Sequence, residues 1–238
     1  MFARPPDAFF DHIELLWNIL NKSIVIGYTM FELCIITDRA LSNGLSEAEV
    51  AKLAYSGGAD IVQLRMKGFD GKEILEQARM IKALSEEYAK FFIVNDRVDI
   101  AVLSDADGVH LGQSDIQIED ARELLGDDKL IGISVHNARE AEDAESRGAD
   151  YVSVGSIFRT STKQDAQHGR GLDAVFTVKE AVGIPVMAIG GINRGNIQDV
   201  IRAGADGVAV ASAVVSQKDV SAAAHELRDM ILKVRPNI

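Results

Sequence analysis

Cysteine, proline and aromatic side chains are all scarce in this chain: one Cys, four Pro and 6% Phe, Trp and Tyr in 238 residues. The single cysteine, Cys34, excludes an intramolecular disulfide and sits in an apolar strand-like run, which fits a reducing cytoplasm. Four Pro against twenty Gly exclude the Pro-rich disordered class and fit many short turns. Positive charge is also short. Lys and Arg number 25 against 36 Asp and Glu, a net charge of -11. That balance argues against a nucleic-acid backbone or an anionic membrane as the main partner. Local cations can still hold a small phosphorylated ligand inside an acidic protein. No apolar run reaches the ~18 residues of a membrane span. No Gly-x-Gly-x-x-Gly opens a helix after the first strand-like run, and no Cys–His pair or Ser–His–Asp pattern stands out. A chain that is 47% hydrophobic and 26% charged suits one soluble domain with a sizeable core.

Residues 1–29 read as an N-terminal extension. Helical apolar spacing at Phe10, Ile13, Leu16, Trp17 and Leu20 predicts an amphipathic helix over Asp7–Leu20. It lacks the basic start and small-residue end of a signal peptide. Such a helix would cover one end of the fold or a partner subunit, so self-association stays open. The catalytic domain is expected to span residues 30–238.

From there strands and helices alternate. Apolar runs predict strands over 31–37, 60–65, 91–95, 108–111, 130–135, 150–155, 184–190 and 206–211. Helices are predicted over 46–55, 71–90, 98–103, 118–125, 138–147, 172–182, 195–203 and 220–234. Ser46 is the expected N-cap of the first of these. The strands are continuous apolar runs, as in a parallel sheet buried on both faces. A punctuation recurs before four of them: Gly58-Ala-Asp60, Ala106-Asp-Gly108, Gly148-Ala-Asp150 and Gly204-Ala-Asp206. Eight βα units in about 200 residues predict an α/β fold, a single (β/α)8 TIM barrel with an extra N-terminal helix. An open doubly wound sheet is the alternative.

In such a barrel the active site lies where strands end. The second strand ends in Gln63-Leu-Arg65-Met-Lys67, whose alternation aims an amide and two cations at one face. Cations aimed into a mouth call for an anion, or else form a salt-bridged rim. Asp96 and Asp115 follow the third and fourth strands. They could share a hard cation such as Mg²⁺, which favours one or two carboxylates plus substrate phosphate oxygens; alternatively each caps the next helix. Ser134 ends the fifth strand. The sixth opens into Gly155-Ser-Ile-Phe-Arg-Thr-Ser-Thr-Lys163, one glycine, four hydroxyls and two cations, a composition that suits an anion. Gly190-Gly191 after the seventh strand and Ala211-Ser212 after the eighth fit a backbone phosphate cradle. Two anion sites in one mouth, without a strong base, read as group transfer between two phosphorylated substrates.

These motifs, in order, resemble the thiamine phosphate synthase (thiamine-phosphate pyrophosphorylase) family. The resemblance covers Phe31 to about Val234. It rests on Ile36-Thr-Asp38, Val62-Gln-Leu-Arg-Met-Lys67, Val94-Asn-Asp-Arg97, Val109-His-Leu-Gly-Gln-Ser-Asp115, Gly132-Ile-Ser134, Gly155 to Lys163 and Ala188-Ile-Gly-Gly-Ile192. It implies a (β/α)8 barrel that joins hydroxymethylpyrimidine diphosphate to a thiazole phosphate, or its carboxylated form, giving thiamine phosphate and diphosphate. It implies that Gln63, Arg65, Lys67 and Asn95 hold the pyrimidine diphosphate and that Asp96 and Asp115 bind Mg²⁺. Ser134 and Lys163, with Arg65, would act on the departing diphosphate. Thr160, Thr162, Gly191, Ala211 and Ser212 would hold the thiazole phosphate. It also implies that diphosphate leaves first and a pyrimidine carbocation is trapped by the thiazole nitrogen.

Three departures stand out. Met66 replaces the usual Glu, at a position that alternates away from the mouth. Ser156 and Arg159 stand where Pro is usual. Gln167-His-Gly-Arg-Gly171 is similar to the related thiazole tautomerase, which uses a His in this loop, so His168 and Arg170 could instead belong to a mobile lid. The Asn-Asp, Gln-x-Asp and Thr-x-Thr-Lys motifs together favour the synthase. A non-catalytic phosphate binder is the reading from another class; Asp96, Asp115 and Lys163, whose loss would mark it, are all present. Deleting residues 1–29 is expected to leave a barrel that unfolds cooperatively; complete loss of folding would put the domain boundary elsewhere.

Overall fold

Eight apolar runs pair in chain order and the last pairs with the first. The result is a closed, all-parallel barrel. The computed structural model describes residues 32–160 and 169–235. The helix expected over residues 7–20 lies outside them, as do Thr162, Lys163 and His168.

The strands are β1 Leu33–Ile36, β2 Ile61–Leu64, β3 Phe91–Asn95, β4 Gly108–Leu111, β5 Leu130–Val135, β6 Tyr151–Gly155, β7 Val186–Ile189 and β8 Gly207–Val210. Among the described residues the helices are α1 Glu47–Ser56, α2 Gly71–Glu87, α3 Val98–Leu103, α4 Ile118–Leu125, α5 Ala138–Ser146, α6 Leu172–Ala181, α7 Ile197–Arg202, α8 Ser212–Val215 and α9 Val220–Leu232. Every expected barrel element is present; five keep their expected bounds and the others differ by one to three residues at an end. Ser46 caps α1 as expected, in a reciprocal capping box with Glu49. The short helix α8 is the one departure. It lies past the expected eighth strand, and its β-branched Val214 and Val215 give little helical signal.

Strand residues alternate between two environments. Leu33 and Ile35, Val62 and Leu64, and Phe92 and Val94 belong to the large apolar layer shared with the helices. Their neighbours Cys34, Ile61 and Ile93 are equally buried but stand apart from that layer, inside the barrel. Met66 joins the outer layer at 8% exposure, so its replacement of a carboxylate does not touch the mouth.

The recurring Ala-Asp at the helix-to-strand joints has a structural job. Asp60, Asp107, Asp150 and Asp206 each precede an even-numbered strand. Each side chain accepts a hydrogen bond from a backbone N–H at the start of the preceding odd strand: Leu33 (3.2 Å), Phe92 (2.8 Å), Ile131 (2.8 Å) and Val186 (2.7 Å). Each aspartate's own N–H donates back to that residue's carbonyl at 2.8–2.9 Å. Each carboxylate also meets a cation: Asp60 meets Lys90 and Arg228, Asp107 Lys82, Asp150 Arg122 and Asp206 Lys179. A strand starting inside a barrel leaves an N–H with no ladder partner, and these carboxylates supply one. Near Asp60, Arg228 and Arg235 lie within ion-pair distance of the buried Glu32, though neither Glu32 Oε2 nor Arg235 Nε gains hydrogen-bond geometry.

Asp107→Ala removes the acceptor for Phe92 N–H and leaves the half-buried Lys82 with the longer 3.6 Å pair to Glu86. It is expected to lower unfolding free energy by about 2–4 kcal/mol in urea titrations. Asp99→Ala, which breaks the exposed pair with Arg97 and a backbone contact at Ile100, is expected to cost about 1 kcal/mol.

Candidate active site at the barrel mouth

The carboxyl ends of the strands converge on one opening, where two compartments adjoin. The larger is about 230 Å³ and the smaller about 80 Å³. Arg65, Ser134 and Ser153 line both. Gln63, Lys67, Asn95 and Asp96 line the smaller one, and Thr160, Gly191, Ala211 and Ser212 the larger. The division follows the two halves expected from sequence. Asp115 lines neither compartment but stands beside Asp96, and Thr162 and Lys163 fall outside the described residues.

On β2 the inward alternation puts Gln63 at the floor, 5% exposed, and Arg65 above it. Arg65 is held twice: its N–H donates to Thr37 Oγ1 at 3.0 Å, and Nη1 to Asp38 Oδ2 at 2.9 Å. Lys67 pairs with Asp96. Both cations thus have carboxylate partners within the chain. Arg39, the next residue of the first strand's end, turns away. It grips the buried Glu47 (Nε–Oε1 3.0 Å) and lies over the Phe69 ring at 5.2 Å.

Asp96 is bent out of the strand. Its φ of 63° is a left-handed conformation that Asp adopts more readily than most residues. The bend is held by Asp96 N–H to His110 O (2.9 Å) and Arg97 N–H to Asn95 O (2.8 Å). Asp115 Oδ2 accepts from Gly112 N–H at 2.7 Å. Neither aspartate caps a helix: the N-caps of α3 and α4 are Arg97 and Gln117, and neither gives a side-chain cap. Burial raises the Asp115 carboxyl above its usual range. The Gly112 N–H opposes that shift, while the Asp96 carboxylate, by its charge and by a hydrogen bond, adds to it. Two carboxylates crowded in this way are the kind of donor pair that a hard cation relieves. Among the described residues no group of three or more His, Cys, Asp or Glu forms a full protein cage. The pair therefore fits an ion that keeps coordination positions for water or ligand oxygens.

Ser134 sits between the compartments. His110 Nε2 lies 2.9 Å from its Oγ, and Gln113 Nε2 donates to its carbonyl at 2.7 Å. Behind His110, Tyr151 OH lies 3.1 Å from Nδ1. His136, next along, serves its own helix: its N–H donates to Glu140 Oε2 at 2.8 Å.

In the larger compartment the loop after β6 folds over the turn after β7. Ile157 N–H donates to Ile189 O and Phe158 N–H to Gly190 O, both at 2.9 Å. The approach leaves no room for a side chain at 190. A Cβ there would lie 1.8 Å from Ser156 Oγ, and φ is 101°. The glycine pair thus exposes peptide edges to the cavity. Ser212 opens α8 at the same wall. Arg170 comes in from the rim, its Nε donating to Gly155 O at 3.0 Å and its N–H to Ser156 O at 2.9 Å.

Sequence reasoning did not assign His110, Tyr151, Gln113, Ser153, Asp38 or Arg170 to the site. His110 and Ser153 carried a signal, as polar residues inside apolar strands. Tyr151 carried none, since a tyrosine beginning a strand reads as core.

A family model described as thiamine monophosphate synthase matches residues 33–214. The thiamine-phosphate synthase of Methanoregula boonei is 48% identical over 200 residues, 84% of this chain and 93% of that protein. That of Chloroflexus aurantiacus is 48% identical over 201 residues, with the same coverage. Among solved structures, thiamine phosphate pyrophosphorylase from Pyrococcus furiosus superposes with a TM-score of 0.80 at 42% identity, covering 87% of this chain and 98% of that one.

Gly190→Ala is expected to cost about 2–3 kcal/mol or more in thermal unfolding, because backbone strain and a clash coincide. Gly68→Ala, with φ of 81° but nothing within 4 Å of its Cβ, isolates the strain and should cost about 1 kcal/mol.

Proposed function

The chain belongs to the thiamine monophosphate synthase family, and from that premise we propose how its barrel mouth works. It is a transferase that joins 4-amino-2-methyl-5-hydroxymethylpyrimidine diphosphate to 4-methyl-5-(2-hydroxyethyl)thiazole phosphate. The products are thiamine phosphate and diphosphate. The observation that carries the division of labour is the pair of compartments that share Arg65 and Ser134. The smaller, with Gln63, Lys67, Asn95 and Asp96, takes the pyrimidine diphosphate. The larger, with Thr160, Gly191, Ala211 and Ser212, takes the thiazole and its phosphate. Thr162 and Lys163, outside the described residues, are assigned to the same substrates by the order of the sequence motifs.

The bond that breaks joins the pyrimidine methylene carbon to the diphosphate oxygen, and its electron pair leaves with the diphosphate. The bond that forms joins the same carbon to the thiazole nitrogen, whose lone pair supplies the electrons. No proton is removed from either reacting atom, so the step needs no general base. The protein's task is to hold the two substrates in line and to accept the leaving group's charge. Arg65 stands where the compartments meet and donates to diphosphate oxygens, as does Ser134. Lys163 neutralises the departing charge. Gln63, a buried amide on the floor, reads the pyrimidine edge.

Mg²⁺ is the cofactor in this reading, held by Asp96 and Asp115. It would neutralise diphosphate charge as the leaving group departs. Support comes from the crowded carboxylate pair and from Lys67, whose ammonium already occupies Asp96 and is free to move to a phosphate oxygen. The acidic composition and the buried, unpaired Cys34 support small-molecule partners and a cytoplasmic setting.

Mixing the protein with both substrates and Mg²⁺ is expected to yield thiamine phosphate and diphosphate in equal amounts, and EDTA should abolish both. Asp96→Asn and Asp115→Asn should each reduce kcat/KM by on the order of 10–100-fold, partly restored by excess Mg²⁺. Lys163→Ala should lower kcat in a way that added metal does not restore. Well-folded protein that forms no product would overturn the assignment.

A further inference from the structure

Ser134 can serve a departing phosphate only if its hydroxyl hydrogen points at the ligand. A serine hydroxyl rotates freely unless a neighbour fixes it. Here the neighbour is His110, 6% exposed, with Nε2 at 2.9 Å from Ser134 Oγ. Its other nitrogen, Nδ1, faces Tyr151 OH at 3.1 Å, and Tyr151 is 2% exposed. The rings are 5.5 Å apart and tilted by 32°. The imidazole is thus held between two hydroxyls.

A neutral imidazole has one donor nitrogen and one acceptor nitrogen. If Nε2 accepts, the Ser134 proton is spent on His110 and turned away from the cavity. If Nε2 donates, Ser134 Oγ accepts that hydrogen and keeps its own hydrogen for the ligand. The phenol settles the choice. It is more acidic than an aliphatic hydroxyl, so it is the better donor of the two and takes the acceptor nitrogen. Burial pushes the Tyr151 phenol up and keeps its proton in place. The room for this phenol comes from Gly132. A Cβ at 132 would lie 2.0 Å from Tyr151 Cζ and 2.4 Å from its hydroxyl oxygen.

We infer that Tyr151 and His110 form a one-way hydrogen-bond relay, from phenol to imidazole to serine, that fixes the Ser134 hydroxyl as a donor toward the leaving phosphate. Both are positioning residues: they act through Ser134. The inference rests on the proposed role of Ser134.

Two measurements test it. The first needs no turnover. Imidazole ¹⁵N shifts of the full chain, with His110 assigned by its loss in His110→Gln, are expected to show the Nε2-protonated tautomer. Tyr151→Phe, which keeps the ring and removes the donor, should shift that population. An Nδ1-protonated His110 in the wild type would overturn the relay. The second is a double-mutant cycle. Tyr151→Phe alone should lower kcat about ten-fold with the KM for thiazole phosphate unchanged, the size of one lost hydrogen bond to a charged group. On a Ser134→Ala background it should cause no further loss. A full additional loss there would mean that Tyr151 acts by packing alone, and would overturn the inference. An inactive wild type would count against the synthase assignment instead, and the tautomer result would still decide the relay.

Discussion

A strand that begins inside a closed barrel starts with a backbone N–H that has no ladder partner, and four aspartates answer that need here. Each takes one such proton on its side chain and returns its own N–H to the same residue. The bond set is short and charge-assisted, with a cation behind every carboxylate. It pins β1 to β2, β3 to β4, β5 to β6 and β7 to β8 at their starting ends. Strand register is fixed there, and the side-chain period of two then decides which residues reach the opposite end facing inward. Gln63, Arg65, His110, Ser134 and Ser153 line the mouth because of a choice made some four residues earlier in each strand.

The mouth itself is neither strongly basic nor left uncompensated. Arg65 rests on Asp38 and Lys67 on Asp96, so each cation at the mouth has a carboxylate partner within the chain. In the proposed reading these pairs would exchange partners with an arriving diphosphate: the Lys67 ammonium and Arg65 guanidinium would turn to phosphate oxygens, and Asp96, with Asp115, would hold the cation. Such an exchange would keep local charge balanced, which is how a chain of net charge -11 would accommodate two anionic substrates.

Most of the architecture was legible in the sequence, because continuous apolar runs and Gly-Ala-Asp punctuation are both direct products of a buried parallel sheet. The ends of elements were less so: β7 starts at Val186 rather than Ile184, since Pro185 offers no N–H to the ladder. The helix Ser212–Val215 carries no sequence signal of its own, being four residues long with a β-branched pair. At the site, the residues that project from strand ends were readable from alternation. The residues behind them were not. Asp38 is recognised as a partner only when Arg65 is seen beside it, and Tyr151 only when His110 is. Such pairings join positions 27 and 41 residues apart, and no local spacing encodes them. Conversely, the alternative that Asp96 and Asp115 each cap the next helix had a sound local basis and gave way to the geometry of the bends that hold them.

The contact between Gly132 and the Tyr151 ring has a consequence for how this sequence can change over time. The two positions sit on adjacent strands and occupy one volume: any side chain at 132 evicts the phenol. Neither can drift alone. A lineage that gains a methyl at 132 must shrink residue 151 in the same stroke, and one that loses the tyrosine releases 132 from selection. Across descendants of this barrel the glycine and the tyrosine should be inherited as a single character, even though nineteen residues separate them in the chain.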